Sequence, residues 1–414
     1  MSRSRRPAKG LRAEKGPRAG SRRGPHAAKD ASARAGRRGG RTRGSDEAAG
    51  PNGLPAADEL DNLPDFSDLV PDAAQEAAFA ETRDRVAARL GEAYADALEL
   101  GCVVRLDRGF PLVACRGRAL RAEHAVGFAK GEAAQAGVMP TVGDWVAVAA
   151  PPGHDMGVIE EVLPRRTSFA RWRGGRRGEF QTLAANLDLV IVVAALGEAP
   201  LALDRIARSL VLVRDCGARG AVVLTKADRT AGPEALARDV ARVRRLVGEG
   251  TDVVVTSSVE GEGLREVRAL AAPRTVAMIL GESGAGKSTL LNALLGQDAL
   301  ATGAVRSRDD MGRHTTVARM MVKLPGAGVV TDAPGLRSLP LVGHERGLAL
   351  AFPEVAERAR ECRFRDCTHA GEPGCAVASA LADGELDEAR VESYLSLAAE
   401  MRRSARSLDP DVTL

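Results

Sequence analysis

Residues 281–288 read Gly-Glu-Ser-Gly-Ala-Gly-Lys-Ser, which fits the pattern G-x-x-x-x-G-K-[ST] with Gly281, Gly286, Lys287 and Ser288 at the required positions. The apolar run at 276–280 precedes this loop, and Thr289-Leu290-Leu291-Asn292-Ala293-Leu294-Leu295 follows it, so it lies between a strand and a helix. That context separates a working phosphate loop from a Gly-rich turn. Backbone N–H groups along Gly281, Glu282, Ser283, Gly284, Ala285 and Gly286 can close around β- and γ-phosphates, and the helix N-terminus adds its positive end. Lys287 is placed to reach the β/γ oxygens and Ser288 to ligate Mg²⁺, with Thr289 next in the first helical turn.

A phosphate loop does not choose between purines. Thr225-Lys226-Ala227-Asp228, at the end of the apolar strand 220–224, stands in the G4 position of a GTPase, usually Asn-Lys-x-Asp. The Asp228 carboxylate can accept from guanine N1–H and the 2-amino group, which adenine lacks. The Lys226 stem would cover the base. Thr225 replaces Asn, so weaker nucleotide affinity with unchanged base choice is expected. Thr256-Ser257-Ser258, after the strand 252–255, reads as a G5-like loop that touches guanine O6. Beyond the phosphate loop, Gly312-Arg313-His314-Thr315-Thr316 offers a switch-I Mg²⁺ ligand in Thr315 or Thr316. The strand 328–331 then delivers Asp332-Ala333-Pro334-Gly335, a G3 element. There Asp332 would hold Mg²⁺ through water and the Gly335 N–H would bond the γ-phosphate.

The elements therefore run G4, G5, G1, G2, G3, whereas an ordinary GTPase runs G1 to G5. Joining the old termini and opening the chain between G3 and G4 gives this order and keeps every spatial contact, provided the old ends were close. A P-loop ATPase or kinase gives no reason for Asp228 after Lys226. The residue after Gly335 is Leu336, where many GTPases carry a Gln that orients the attacking water. His314 is the candidate to position that water instead.

The 414 residues are enough for two to three domains. No apolar stretch reaches transmembrane length, and six cysteines are too few for a disulfide framework, so a cytoplasmic protein is expected. Aromatic residues are 3% of the chain, which excludes base stacking as a dominant binding mode. Charge is strongly uneven. Residues 1–44 hold fifteen Lys and Arg against Glu14 and Asp30, while residues 45–75 hold eight acids and no Lys or Arg. We read 1–75 as a disordered tail, basic over 1–44 and acidic over 45–75. The basic part either binds RNA phosphates or is a solvated extension.

Residues 76–96 read as one helix. Short alternating runs with Gly turns over 97–165 suit a small β-barrel of the OB-fold type, and an SH3-like barrel fits nearly as well. Residues 166–182 form a basic linker holding Arg171-Trp172-Arg173, able to grip RNA backbone or simply solvated. The GTPase region spans 183–340.

A last region, 341–414, holds Cys362-x4-Cys367-x-His369-x5-Cys375. Three thiolates and an imidazole in a polar segment match a closed tetrahedral Zn²⁺ site of structural type. Cys102, Cys115 and Cys216 lie in apolar runs and read as core. A pair of helices is expected beyond Gly384.

Together these marks resemble the RsgA (YjeQ) family of circularly permuted bacterial GTPases, over about residues 97–402. The specific ones are Val142-Gly143-Asp144-Trp145-Val146, Ala185-Asn186-Leu187-Asp188, the five nucleotide elements and the Cys362/Cys367/His369/Cys375 set. The resemblance implies an N-terminal OB-fold barrel, a central α/β P-loop GTPase domain in the order G4-G5-G1-G2-G3 and a C-terminal helical zinc-binding domain. It also implies one structural Zn²⁺, Mg²⁺ with GTP, and late maturation of the small ribosomal subunit. Hydrolysis of GTP to GDP would be stimulated by the 30S subunit, with 16S rRNA as partner, no membrane, and a monomer. The alternative is an RNA-binding assembly factor that uses GTP only as a conformational switch.

Overall fold

The computed structural model describes residues 49–50, 54–55, 62–107, 110–125, 139–151, 153–173, 179–197, 199–296, 319–332 and 340–408. All belong to one unit, Ala48–Leu414. The basic tail 1–44 and residues 45–48, 51–53 and 56–61 of the acidic stretch lie outside the described residues; between them stands the minimal antiparallel pair β1 (Ala49–Gly50) and β2 (Leu54–Pro55).

The six-stranded nucleotide-type sheet is ordered β12 (Asp252–Val255), β11 (Arg219–Thr225), β10 (Leu189–Ala195), β13 (Val276–Gly281), β15 (Val329–Asp332) and β14 (Arg319–Lys323). All pairs are parallel except β14 with β15. Side chains alternate across such strands, and both faces are buried here. Val190, Val192, Val222, Leu224, Met278 and Leu280 go to one core. Leu189, Ile191, Val193, Val223, Ala277 and Ile279 go to the other. The first core packs on α3 (Leu203–Cys216) and α4 (Pro233–Val247), the second on α5 (Leu264–Leu270) and α6 (Lys287–Leu295). Because the strands are parallel, β11, β12, β13 and β15 all end at the same edge of the sheet, where the G4, G5 and G1 loops leave it. A site is built at that edge although its parts are more than a hundred residues apart.

The barrel comprises β3 (Leu98–Asp107), β4 (Phe110–Cys115), β5 (Arg118–His124), β6 (Trp145–Ala149) and β7 (Gly157–Val162). Pairing runs β3-β4-β5-β7-β6 and closes back on β3, with β5–β7 as its one parallel pair among the described residues. This cyclic order, first-second-third-fifth-fourth, is that of an OB-fold and decides against the SH3-like alternative. β14 also pairs with β3, Arg319 opposite Leu106 and Met320 opposite Arg105, so barrel and nucleotide sheet are one continuous hydrogen-bonded surface.

The marks around 143 and 186 knit the two together. Asn186 takes a left-handed conformation, φ 55°, which its short polar side chain tolerates. Its amide donates to the Gly143 carbonyl at 2.9 Å and its oxygen accepts from Gln75 Nε2 at 3.0 Å and the Arg166 N–H at 2.9 Å. Gly143 has φ 92°, and a Cβ there would collide with the Ala185 carbonyl. Asp144, fully buried, is held by Arg165 through Oδ1 and Oδ2, each at 2.7 Å. Asp188 exchanges bonds with the start of β13: its N–H donates to Val276 O and its Oδ2 accepts from Val276 N–H, both at 2.8 Å.

Four expectations are corrected. The acidic stretch is not disordered throughout. From residue 62 it docks on the body: Asp65 caps a 3₁₀ turn (Phe66–Asp68), Lys323 pairs with Asp68 at 2.8 Å, Phe66 meets Trp145 edge to face, and Leu69 is buried. Single apolar anchors in an acidic background carry no periodicity, so sequence pattern misses them. The helix at 76–96 begins earlier, as α1 (Ala73–Leu90) behind an Asp72–Gln75 capping box, and breaks at Gly91 before α2 (Glu92–Ala95). The basic linker at 166–182 contains an antiparallel hairpin, β8 (Ser168–Arg173) with β9 (Glu179–Ala185). Trp172 packs edge to face on Phe180, and Phe180 on His344. Among the described residues beyond Gly384 there is one helix, Glu388–Leu408, rather than two.

The C-terminal region is α7 (Glu345–Ala351), α8 (Pro353–Ala359), a knuckle at 362–375, α9 (Ala376–Ala382) and α10 (Glu388–Leu408). Arg390 of α10 fastens it to the sheet domain. It is buried, bonds the Leu246 and Ala351 carbonyls, reaches Glu354 and lies over the Phe352 ring at 4.9 Å. No described helix is long and apolar enough to cross a membrane.

Candidate nucleotide site and metal centre

β13 delivers the phosphate loop and α6 starts at Lys287, with Gly286 as its N-cap at φ 90°. Two glycines are required by the packing. A Cβ at Gly281 would strike the Val193 carbonyl, and one at Gly286 would press on Thr225 Oγ1 from a left-handed backbone. Ser288 and Thr289 are exposed on the first turn, as are Glu282, Ser283 and Gly284 in the loop. The Lys287 ammonium donates to the Gly281 and Glu282 carbonyls at 2.8 and 2.7 Å.

The G4 tetrapeptide grips this loop. Thr225, buried at the end of β11, donates its hydroxyl to the Ala285 carbonyl at 2.6 Å. Lys226, left-handed at φ 59°, donates to the Gly284 carbonyl at 2.6 Å. Ala227 opens a 3₁₀ turn that carries Asp228. Asp228 Oδ1 accepts from the buried Ser257 hydroxyl at 2.9 Å, which aims the carboxylate and leaves acceptor capacity for a base edge. Thr256 closes the G5 turn by donating to Glu262 O at 2.6 Å, and Ser258 is half-buried beside it. Three of the expected five elements, G4, G5 and G1, thus share one edge, with the end of β15 beside them. Asp332 ends β15, its side chain lying outside the described residues, as do Gly335, Leu336, His314, Thr315 and Thr316.

Sequence reasoning missed two ion pairs at this edge. Arg205 pairs with Glu282 of the phosphate loop, and Arg208 binds Glu400 of α10 through both carboxylate oxygens. Their partners lie too far along the chain for spacing to reveal. The Arg208 guanidinium holds the Glu400 carboxyl below its ordinary value.

In the knuckle the sulfurs of Cys362, Cys367 and Cys375 and a His369 ring nitrogen all lie within 4.8 Å of one another. His369 Nδ1 is 3.5 Å from both Cys362 Sγ and Cys375 Sγ, and those sulfurs are 4.0 Å apart. These are close to the edges of a tetrahedron with bonds of about 2.0–2.3 Å around a single ion. The donor set can hold one metal ion and leaves no position for substrate. Glu372 braces the loop by accepting from the Thr368 N–H and hydroxyl and from the Ala370 N–H; these bonds, the Thr368 hydroxyl first, hold its carboxyl down at about 2.

The RsgA GTPase family model matches residues 162–342. The chain is 44% identical over 322 residues to the small ribosomal subunit biogenesis GTPase RsgA of Streptomyces coelicolor, covering 76% of this chain and 84% of that protein. It is 41% identical over 318 residues to the protein of the same name from Opitutus terrae, covering 75% and 83%. Among solved structures it is similar to YjeQ from Thermotoga maritima, with a TM-score of 0.56 and 25% identity, covering 74% of this chain and 99% of that one. YloQ, described as a circularly permuted GTPase, shares the fold with a TM-score of 0.55 and 23% identity over 74% of this chain and 96% of that one. With its nucleotide loops gathered on one sheet edge in permuted order, the chain belongs to the RsgA GTPase family.

Proposed function

We propose that the chain hydrolyses GTP to GDP and phosphate during late maturation of the small ribosomal subunit, faster when bound to the 30S particle and through contacts with 16S rRNA. The grip of Thr225 and Lys226 on the phosphate loop is the observation that carries the nucleotide part of this reading. It couples base recognition at Asp228 to the phosphates, so the loop is preorganised by the element that reads guanine. The names of the similar proteins support the ribosomal part.

In this reading the N–H groups of 281–286 and Lys287 take the phosphates, Asp228 takes the guanine edge, and the Gly335 N–H meets the γ-phosphate. Ser288, Thr315 or Thr316 and Asp332 would hold Mg²⁺, which offsets charge on the β- and γ-oxygens. Leu336 cannot orient a water, and His314 is assigned that role. The knuckle would hold one structural Zn²⁺. The protein is proposed to be a cytoplasmic monomer. Leu336 also favours a second reading, in which GTP is a switch with negligible turnover.

Hydrolysis of GTP by the purified protein, with and without 30S subunits and with ATP and 50S subunits as controls, tests this. A large rise with GTP and 30S alone is expected. Tight binding without turnover under all conditions would leave the switch reading, and preference for ATP would remove the base assignment. If His314→Ala left stimulated hydrolysis intact, that residue's role would be refuted.

A further inference from the structure

Two arginines one turn apart at the start of α3 join the phosphate loop to the C-terminal helix. Arg205 and Arg208 are i and i+3, so they share a helix face. Arg205 reaches Glu282 inside the loop, and Arg208 is held bidentately by Glu400 of α10. The N-cap of α3 is Ala202, with no side-chain cap bond; Asp204 in the first turn suits the positive end of the helix dipole, whereas the two arginines after it oppose that end. An acid from outside the helix offsets each of them. The Arg208–Glu400 pair is the better sheltered, with side chains 23% and 29% exposed, against 53% and 49% for Arg205–Glu282.

A cavity of about 1100 Å³ is bounded by the phosphate loop, the loop after β10, the start of α3 and the α10 residues Glu400 and Ser404. It lies between α10 and the phosphate loop, and the two ion pairs bridge them by way of α3.

We infer that Arg205 is a positioning residue for the phosphate loop, and that Glu400 of the C-terminal helix sets its placement through Arg208. Docking of the C-terminal region is then read at the nucleotide. Loss of the Arg208–Glu400 pair frees the first turn of α3, lets Arg205 leave Glu282 and loosens the loop before phosphate arrives. This rests on the assignment of nucleotide phosphates to residues 281–288.

The test is a double-mutant cycle on the full chain, with Kd for fluorescent GTP and GDP analogues and separate kcat and KM for hydrolysis. Glu400→Gln is expected to raise Kd about fivefold in the native background. In an Arg205→Ala background it is expected to change nothing, because the link is already cut. Arg208→Lys, which keeps the charge but not the fork, is expected to fall between. Metal content and thermal unfolding identify any variant that has lost its fold, and Arg208→Lys then carries the comparison against Arg205→Ala. An unchanged Kd in Glu400→Gln, or the same fold-change in both backgrounds, overturns the inference. Failure of the native chain to bind GTP would instead remove the site assignment beneath it.

Discussion

The Thr225 hydroxyl donates to the Ala285 carbonyl across 2.6 Å, joining the end of β11 to the candidate phosphate loop sixty residues later in the chain. Both groups are buried, so removing the hydroxyl leaves the carbonyl without this partner in a site that water enters poorly. Thr225→Ala is therefore expected to cost about 1–2 kcal/mol of nucleotide binding, a roughly tenfold rise in Kd for GTP and GDP alike. Thr225→Asn should bind at least as tightly as the native chain, with unchanged preference over ATP. Titration of both nucleotides into the three proteins checks this.

Asp228 is aimed by Ser257 at 2.9 Å. Asp228→Asn places an amide donor against the guanine 2-amino group, so GTP affinity should fall about a hundredfold or more. Xanthosine triphosphate carries a carbonyl at that position and should now be preferred. Competition between the two nucleotides measures the exchange.

The knuckle should bind one metal ion per chain by elemental analysis. Cys362→Ser, or a strong chelator, is expected to remove it and to lower the melting temperature, because a closed four-donor site contributes its binding free energy to folding. GTP binding should survive in the chelated protein, at reduced affinity.

Arg390 binds two backbone carbonyls and Glu354 while nearly excluded from water. Arg390→Ala strands those groups and should destabilise the fold by about 3–5 kcal/mol in denaturant unfolding. Arg390→Met, which fills the space, should cost less.

Arg208 lowers the Glu400 carboxyl below its ordinary value of 4.5 in the folded protein. The pair's contribution is then fully present above pH 4.5 and is lost as pH falls through the lowered value. The difference in melting temperature between the native chain and Glu400→Gln should be constant from neutral pH down to about pH 5 and close at lower pH.

Much of the candidate nucleotide site was legible because the chemistry proposed for it is local. The glycines, Lys287 and Ser288 must be contiguous to wrap a phosphate, and Thr225 to Asp228 must follow a strand to face a base. The Cys362, Cys367, His369 and Cys375 set was legible for the same reason, since a metal needs its donors close together. The Asn186 hub was seen only as a mark without a reason, because its partners are Gln75, Gly143 and Arg166 on three separate elements.

The sequence alone determined the presence of the loops, their permuted order and the donor set, since each is a short run whose spacing encodes its geometry. Tertiary structure alone decided the OB-type closure of the barrel, the hairpin formed by the basic segment, and the docking of residues 62–72. It also decided the chain of contacts from Glu400 to Glu282. Strand order and ion pairs between distant elements depend on packing the apolar faces of the whole sheet, and no local pattern records which surfaces meet.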